Sequence, residues 1–375
     1  MISTALAAGQ AVMAALVIAR FLRRSQTGTA RPVRSDAAAV SVLVPVLDEE
    51  RRLDPCLQGL CRLAPEVSEI LLLDGGSQDG TVALAEQCAA GEPKLRVVRV
   101  GAPPPGWNGK AWNLEAGRRL VTGTHLLTVD ADVRLGPGAL RLLLGQAQRS
   151  GLASTSLATR QEVPGLWLGA LHPALLTTYI YRQGRPGRIS GTPQRAEASG
   201  QCQLLESGAL SEIGGFGRVR ASTCEDVSLA RELTAAGYAV GLFEGGGAAT
   251  TRMYETVGEA WRGMPRSLAL RDRFWSWRDW PRLAGALLTQ ALPLPLSLLT
   301  SRRPGALRSV NLALLVLRLG VLLGTRRAYA SISWTYWLSP LADIPAALAL
   351  TASAVRRKHT WRGRTLVSDG SFRSA

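Results

Sequence analysis

The chain has 375 residues, 46% of them hydrophobic, with 39 glycines and 20 prolines, a composition that excludes a disordered or collagen-like protein. Its formal charge of +16 is uneven, since residues 252–375 hold 19 Lys and Arg against 6 Asp and Glu. These arginines bracket apolar runs, which favours membrane headgroups and topology signals over nucleic acid as the reason for the excess. Five cysteines (Cys56, Cys61, Cys88, Cys202, Cys224) are odd in number and form no CxxC pair. A disulfide framework and a structural zinc site are thereby disfavoured, and a reducing cytoplasm fits. His125, His172 and His359 lie far apart, none with a partner at metal-ligand spacing.

The first segment, ISTALAAGQAVMAALVIARFL, matches the roughly 20 residues needed to cross a bilayer core and reads as a transmembrane helix. Its apolar stretch is too long, and a small-residue cleavage site too unclear, for a signal peptide. Arg20, Arg23, Arg24, Arg31 and Arg34 place the chain beyond this helix in the cytoplasm by the positive-inside tendency. From about Val40 to Thr250 short apolar runs (SVLVPV, EILLLD, LRVVRV, HLLTVD) read as buried strands, and DPCLQGLCRLA, TVALAEQCAA and KAWNLEAGRRL between them have helical spacing. That alternation predicts a parallel α/β sheet with its ligand site beyond the strand carboxyl ends. After Trp261, the tryptophans Trp275, Trp277 and Trp280 precede apolar stretches near 283–300, 307–324 and 334–355, as suits a membrane interface. Pro293 and Pro295 mark 283–300 as a broken or interfacial helix. If it does not span, two C-terminal crossings return Arg356, Arg357 and Lys358 to the cytoplasm.

Acidic residues end three of the strand-like runs. In HLLTVDADVRL, Asp130 and Asp132 are separated by one residue, and period-two geometry puts both carboxylates on one face. Hard oxygen ligands of this kind suit Mg2+ or Mn2+ and a diphosphate, although such pairs also form turns and helix caps. Asp74 closes EILLLD ahead of a glycine-rich turn that allows close backbone approach to a ligand; Asp79 or Thr81 as a helix cap is the structural alternative. Asp48, Glu49 and Glu50 follow the first strand and double as a helix start. Glu225 and Asp226 head the helical pattern EDVSLARELTAAG, where Asp226 is the candidate general base and N-terminal capping the alternative.

SVLVPVLDEE, LLLDGGSQDGT, the DAD of TVDADV and CEDVSLA resemble, in order, the motifs of glycosyltransferase family 2, whose members share the GT-A fold. PPGWNGKAWNLEAG, RMYETVGEAWRG and HTWRGRTLV resemble the membrane-bound branch typified by chlorobactene glucosyltransferase and related to hopanoid-associated enzymes. The resemblance implies an inverting transfer of a sugar, glucose from UDP, to a lipidic hydroxyl such as that of a carotenoid, with Mg2+ or Mn2+ as cofactor. It implies that Pro45 and Glu49 flank the nucleotide pocket, Asp74 contacts the base, and Asp130 and Asp132 handle ribose, diphosphate and metal. Asp226 is then the base, Lys110 lies near the diphosphate, and Glu225, Trp261 and Arg262 complete the substrate-binding set. Two departures are Asp48 where the family usually has Asn, and Gly75 where a second acid often follows Asp74.

The organisation expected is an N-terminal membrane helix (1–24), a cytoplasmic GT-A catalytic domain (38–255), an amphipathic interface region (256–282), C-terminal membrane helices (283–358) and a basic cytoplasmic tail (359–375). The QxxRW signature of processive synthases is not present as such, which argues for transfer of a single sugar over polysaccharide synthesis. A silent membrane scaffold or sugar-nucleotide sensor is the alternative from another class, and the three intact acids Asp130, Asp132 and Asp226 count against it. The absence of GxGxxG after the first strand counts against a dinucleotide oxidoreductase.

Overall fold

A computed structural model describes residues 2–22, 39–268, 272–356, 358–361 and 364–367; Arg23, Arg24, Arg31, Arg34 and Arg357, used in the topology reading, lie outside them. The chain forms two compact units, an α/β unit of residues 25–161 and 186–253 and a helical unit of residues 1–24, 162–185 and 254–375. Helix α1 (Ile2–Leu22) belongs to the helical unit.

The α/β unit alternates as its sequence predicts through β1 (Val40–Val46), α2 (Glu50–Leu63), β2 (Glu69–Asp74), α3 (Thr81–Gly91), β3 (Leu95–Arg99), α4 (Gly109–Arg118) and β4 (His125–Val129). It continues with β5 (Val133–Leu135), α5 (Ala139–Ser150), β6 (Leu152–Ala158) and β7 (Arg160–Gln161). Helix α6 (Leu166–Gln183) then joins the helical unit. The chain returns with β8 (Arg188–Ser190), β9 (Cys202–Glu206), α7 (Ser207–Glu212), α8 (Glu225–Ala235), β10 (Ala239–Glu244) and β11 (Ala249–Thr251).

Eight strands make one sheet in the order β3-β2-β1-β4-β9-β6-β10-β8. The sheet is mixed, which corrects the all-parallel expectation: β9 runs antiparallel to both β4 and β6, and β8 antiparallel to β10. The physical reason lies in the connection. Residues 191–201 carry the chain from the amino end of β10, where β8 ends, to the carboxyl end of β4, where Cys202 pairs with Val129, and a strand entered from there must run back against β4 and β6. Successive strand residues serve opposite faces. Val42, Val44, Ile70, Leu72 and Leu127 pack in one core with Leu53, Leu60, Leu140 and Leu143 from α2 and α5. Leu43, Leu71, Leu73 and Leu126 pack in the other with Leu114, Leu229 and Leu233 from α4 and α8. Each buried leucine contributes about 1.5–3 kcal/mol. Gly117 lets α4 lie close on this second face, because a Cβ there would come within 2.6 Å of a Leu73 methyl.

The helical unit continues with α9 (Val257–Leu268), α10 (Trp280–Ala286), α11 (Pro293–Leu299), α12 (Ala306–Thr325) and α13 (Asp343–Val355), and ends in a two-stranded hairpin, β12 (Lys358–Trp361) with β13 (Arg364–Val367). Among the described residues three helices, Ile2–Leu22, Ala306–Ala328 and Trp334–Val355, are long and apolar enough to cross a membrane. A fourth segment, Trp280–Ala291 with Pro293–Leu299, is bent by 46°. The bend follows a π-turn over Leu287–Ala291 and falls at Pro293, which cannot donate a helical hydrogen bond, in keeping with the broken helix read from Pro293 and Pro295.

Several polar residues on these helices are paired with one another. Gln10 and Asn311 exchange amide hydrogen bonds of 2.9 and 3.0 Å, and Gln10 also donates to the Leu288 carbonyl. Arg318 holds Asp343 through two bonds of 2.8 and 2.9 Å and donates to Ser339. Gln290 donates to Asp343 and to the Ala174 carbonyl, each at 2.8 Å. The Arg318 and Asp343 side chains are 1% and 3% exposed, so removing one strands the other. Arg318→Met is expected to lower stability by about 3–5 kcal/mol, read as a fall in Tm in detergent. The double variant Arg318→Met with Asp343→Leu is expected to recover most of that loss; a double variant as unstable as the single one would refute the ion-pair account.

Candidate functional site

Strands β1, β2 and β4 run parallel, with Val46 opposite Asp74 and Leu43 opposite Thr128, so their carboxyl ends share one rim. The order reverses at β1, which has β2 on one side and β4 on the other, and a crevice opens at such a switch point. Pro45 lies just beyond the last β1–β4 pair, where a missing N–H costs no ladder bond to β4. Because β9 is antiparallel, its amino end reaches the same rim: Asp130 N donates to the Gln201 carbonyl at 3.2 Å, next to Gly200.

The loops after β1 and β2 are laced together. Asp48, in the left-handed region at φ 52°, accepts from Gln78 N and donates its own N–H to Ser77 Oγ. Asp tolerates that conformation, as Asn does, so the departure at Asp48 leaves the turn intact. Glu49 N donates to Thr81 Oγ1 at 2.7 Å, and Glu50 N to Asp79. Asp79 also accepts from Thr81 N, but the N-cap of α3 is Gly80 with no side-chain cap bond, so Asp79 and Thr81 brace the turn between the two loops and do not cap the helix. Asp74 is 4% exposed and accepts from Gly76 N and Ser77 N, which fixes its carboxylate at the floor of this turn. Beside it Asn113 donates to the Leu73 carbonyl, and a Cβ at Gly75 would lie 2.9 Å from the Asn113 amide nitrogen. The second acid absent after Asp74 would therefore displace Asn113.

The Asp130–Asp132 pair lies in a turn after β4, not on the strand. Val133 N donates to the Asp130 carbonyl at 3.0 Å because Val133 must pair with Thr251 of β11. Strand alternation therefore does not set the two carboxylates; the turn does, and the Asp132 charge still acts on Asp130.

Lys110 is the hub. Its Nζ lies 2.6 Å from Asp130 Oδ1 and 2.7 Å from Glu225 Oε1. Asp226 Oδ2 accepts from Gly200 N at 2.5 Å, and its Oδ1 accepts from Val227 N and the Cys224 thiol. A Cβ at Gly200 would stand 3.0 Å from Lys110 Nζ and 3.1 Å from Asp226 Oδ2, so the glycine allows the two groups to close on it. Asn108 caps α4 by accepting from Lys110 N, and it ties the GWNGK loop to the loop before α8 through Asn108 N to the Arg220 carbonyl and Asn108 Nδ2 to the Ser222 carbonyl.

Burial disfavours the Lys110 ammonium, yet the Asp130, Glu225 and Asp226 charges hold its pKa well above the usual lysine range. Burial, opposed by Lys110 and reinforced by Asp132, pushes Asp130 up to about 7. Asp226 is raised by burial and by Glu225. Three carboxylates, Asp130, Glu225 and Asp226, thus act on one ammonium. Burial pushes the Cys56 and Cys202 thiols up, with Asp130 adding to both, which suits core residues and not nucleophiles.

Lys110, Asp130, Asp132, Glu225 and Asp226 converge, while Pro45, Glu49 and Asp74 line the neighbouring strand ends. Trp261 and Arg262 lie on α9 in the helical unit. Sequence reasoning missed Asn108, Gly200 and Glu115; Asn directly before a helical run is a cap signal that could have found the first. Among the described residues no group of three or more His, Cys, Asp and Glu is disposed to hold a metal on its own. The donor set nevertheless fits Mg2+ or Mn2+, which bind through one or two carboxylates and complete their shell with substrate phosphates.

This is a GT-A-like α/β fold with a central mixed sheet and an acidic rim at its switch point. The likeness extends to a solved structure, a mannosyltransferase (PcManGT) from Pyrobaculum calidifontis in complex with GDP-Man and Mn2+, with a TM-score of 0.55 and 17% identity over 93% of this chain and 99% of that one. Residues 41–214 match the family model Glycosyl transferase family 2. An undecaprenyl-phosphate 4-deoxy-4-formamido-L-arabinose transferase of Yersinia enterocolitica is 29% identical over 127 residues, 33% of this chain and 38% of that protein. Its counterpart in Pectobacterium carotovorum is 30% identical over 131 residues, 34% of this chain and 39% of that protein. The chain thus spans about two fifths of the length of these curated relatives.

Glu115, on the helix that carries Lys110, accepts from Arg118, Arg119 and Phe216 N. Burial works against its charge, but these bonds outweigh it and hold the carboxyl below its usual range. A depressed carboxyl adds stability above its unfolded pKa and loses it as pH falls through the folded value. Glu115→Gln is expected to cost about 1.5–3 kcal/mol at pH 7 and to flatten the acid limb of the stability profile below about pH 4.5. Denaturant unfolding across pH 3–8 measures both, and an unchanged acid limb would refute the assignment.

Proposed function

We propose that the protein is a membrane-bound, inverting glycosyltransferase that moves a sugar, glucose in this reading, from a uridine diphosphate donor to a hydroxyl of an isoprenoid lipid such as a hydroxylated carotenoid. The observation that carries it is the convergence of Lys110, Asp130, Glu225 and Asp226 at the switch point of a segment that matches the glycosyltransferase family 2 model. The acceptor oxygen attacks the anomeric carbon, the bond to the diphosphate oxygen breaks, and the acceptor proton passes to Asp226, which Gly200 N and Val227 N aim. Lys110 meets the negative charge that grows on the leaving diphosphate. Asp74, Pro45 and Glu49 form the nucleotide side of the crevice, and Glu225, Trp261 and Arg262 are assigned to substrate binding. Asp130 and Asp132 would hold Mg2+ or Mn2+, which supplies charge neutralisation at the leaving group. In the same reading residues 38–255 face the cytoplasm and segments within 1–24 and 283–358 sit in the bilayer.

An isoprenoid acceptor is supported by three helices apolar enough to cross a membrane in the same chain. Extracting an isoprenoid tail into water costs about 0.8 kcal/mol for each CH2, so an interfacial site is favoured. The names of the relatives support a second acceptor, a polyprenyl phosphate, whose oxygen needs no proton removed.

Membranes holding the protein, offered labelled UDP- and GDP-sugars with terpenoid alcohols, polyprenyl phosphate and soluble oligosaccharides, are expected to label a terpenoid alcohol. Label on polyprenyl phosphate selects the second acceptor; label only in a water-soluble polymer rejects both. Turnover is expected to stop with a chelator and return with Mg2+ or Mn2+. For Asp226→Asn the expected result is a kcat lower by about 10² to 10⁴ with donor binding nearly kept. Wild-type turnover in that variant would move the base elsewhere.

A further inference from the structure

The ammonium of Lys110 contacts Asp130, one of the two carboxylates that the reading above assigns to the metal. The distance is 2.6 Å, and Glu225 holds the ammonium from the far side at 2.7 Å, with both the lysine and Glu225 side chains largely buried, at 16% and 8% exposure. A divalent ion and an ammonium sharing one Asp130 carboxylate would lie within a few ångströms of each other and repel, most strongly away from water. The protein offers the ion little in return, since no three-residue metal cage exists among the described residues. A nucleoside diphosphate changes both conditions. Its phosphate oxygens complete the shell of the ion, and they give the ammonium a new anionic partner. Asn108 fixes the backbone at the start of α4, and the lysine's flexible four-carbon stem is the part that can make that exchange.

We infer that Lys110 is a positioning residue that acts as the resident cation at Asp130 in the donor-free protein, so that divalent metal is taken up together with the nucleoside diphosphate and not ahead of it. The inference rests on the reading that Asp130 and Asp132 hold the metal. It makes metal and donor binding cooperative by exclusion: the lysine closes the site to a lone ion, and the diphosphate opens it.

The test is Mn2+ binding to the full chain in detergent, followed by the EPR signal of free Mn2+, without nucleotide and with UDP or GDP, after correction for Mn2+ held by free nucleotide. Wild type is expected to bind Mn2+ at least about tenfold more tightly with the matching nucleotide, within the usual range of coupling between sites. Lys110→Met is expected to bind Mn2+ without nucleotide at least about fivefold more tightly than wild type, and Lys110→Arg, which keeps the charge, to behave as wild type. Equal Mn2+ affinity of wild type with and without nucleotide overturns the inference, as does a Lys110→Met protein that binds no more tightly than wild type in its absence. Asp132→Asn separates the two readings. If it retains Mn2+ under every condition, the metal assignment itself falls and takes this inference with it. If it loses Mn2+ while Lys110→Met is unchanged, only the lysine exchange is wrong.

Discussion

Charge compensation at one rim of the sheet is the constraint on which the rest of this architecture depends. Asp130, Glu225 and Asp226 meet around the ammonium of Lys110, Asp132 acts on Asp130, and burial makes their mutual repulsion matter. At an effective dielectric near 20, two unit charges 4 Å apart interact by roughly 4 kcal/mol, so carboxylates at this density persist only if cations are supplied. Lys110 supplies one such cation, and the features around it serve to keep it in position. Asn108 caps its helix, Gly117 brings that helix against β2, and Glu115 ties its other end to the 214–219 segment.

The mixed sheet is a requirement of that cluster. In an all-parallel sheet β9 would begin at the opposite edge and Gly200 would be a strand length away from Asp226. Reversing β9 puts its amino end beside the carboxyl ends of β4 and β6, where Gly200 N can reach the Asp226 carboxylate. The same reversal lets Gln201 bond both Asp130 N, through its carbonyl, and the Thr159 hydroxyl, through its side chain. One change of strand direction therefore assembles residues from three strand ends and the start of α8.

The first half of the α/β unit was legible in the sequence because each apolar run is short, continuous and bounded by turn residues. β1, β2, β3 and β4 fall within a residue of SVLVPV, EILLLD, LRVVRV and HLLTVD. The acids at those strand ends and the EDVSLA helix start were legible for the same reason. The illegible part depends on long-range pairing. Nothing local to CQLLE says that it runs against its neighbours, and nothing local to Gly200 says that Lys110 and Asp226 close over it. The DAD pair was read onto a strand, but the pairing of Val133 with Thr251 draws the chain into a turn one residue early. Helix α6 is a similar case: LWLGALHPALLTTYIYRQ lies inside the stretch read as catalytic, yet it packs in the helical unit, where His172 meets the Tyr329 hydroxyl at 3.0 Å.

The helical unit raises a question of its own, since apolar segments that carry Gln10, Arg318, Asn311 and Asp343 look poorly suited to a bilayer. An isolated charge at the centre of a spanning helix costs about 2.5–3.5 kcal/mol on insertion scales. Here the charges do not stand alone. Arg318 of α12 and Asp343 at the start of α13 neutralise each other through two hydrogen bonds, and Gln290 and Ser339 take further polar atoms of the pair. Gln10 of α1 and Asn311 of α12 satisfy each other. Each polar group thus joins two helices, and each loses its partner if either helix leaves. The pairs make polar sequence in an apolar setting a source of specificity, because only one register of α1, α12 and α13 satisfies all of them at once.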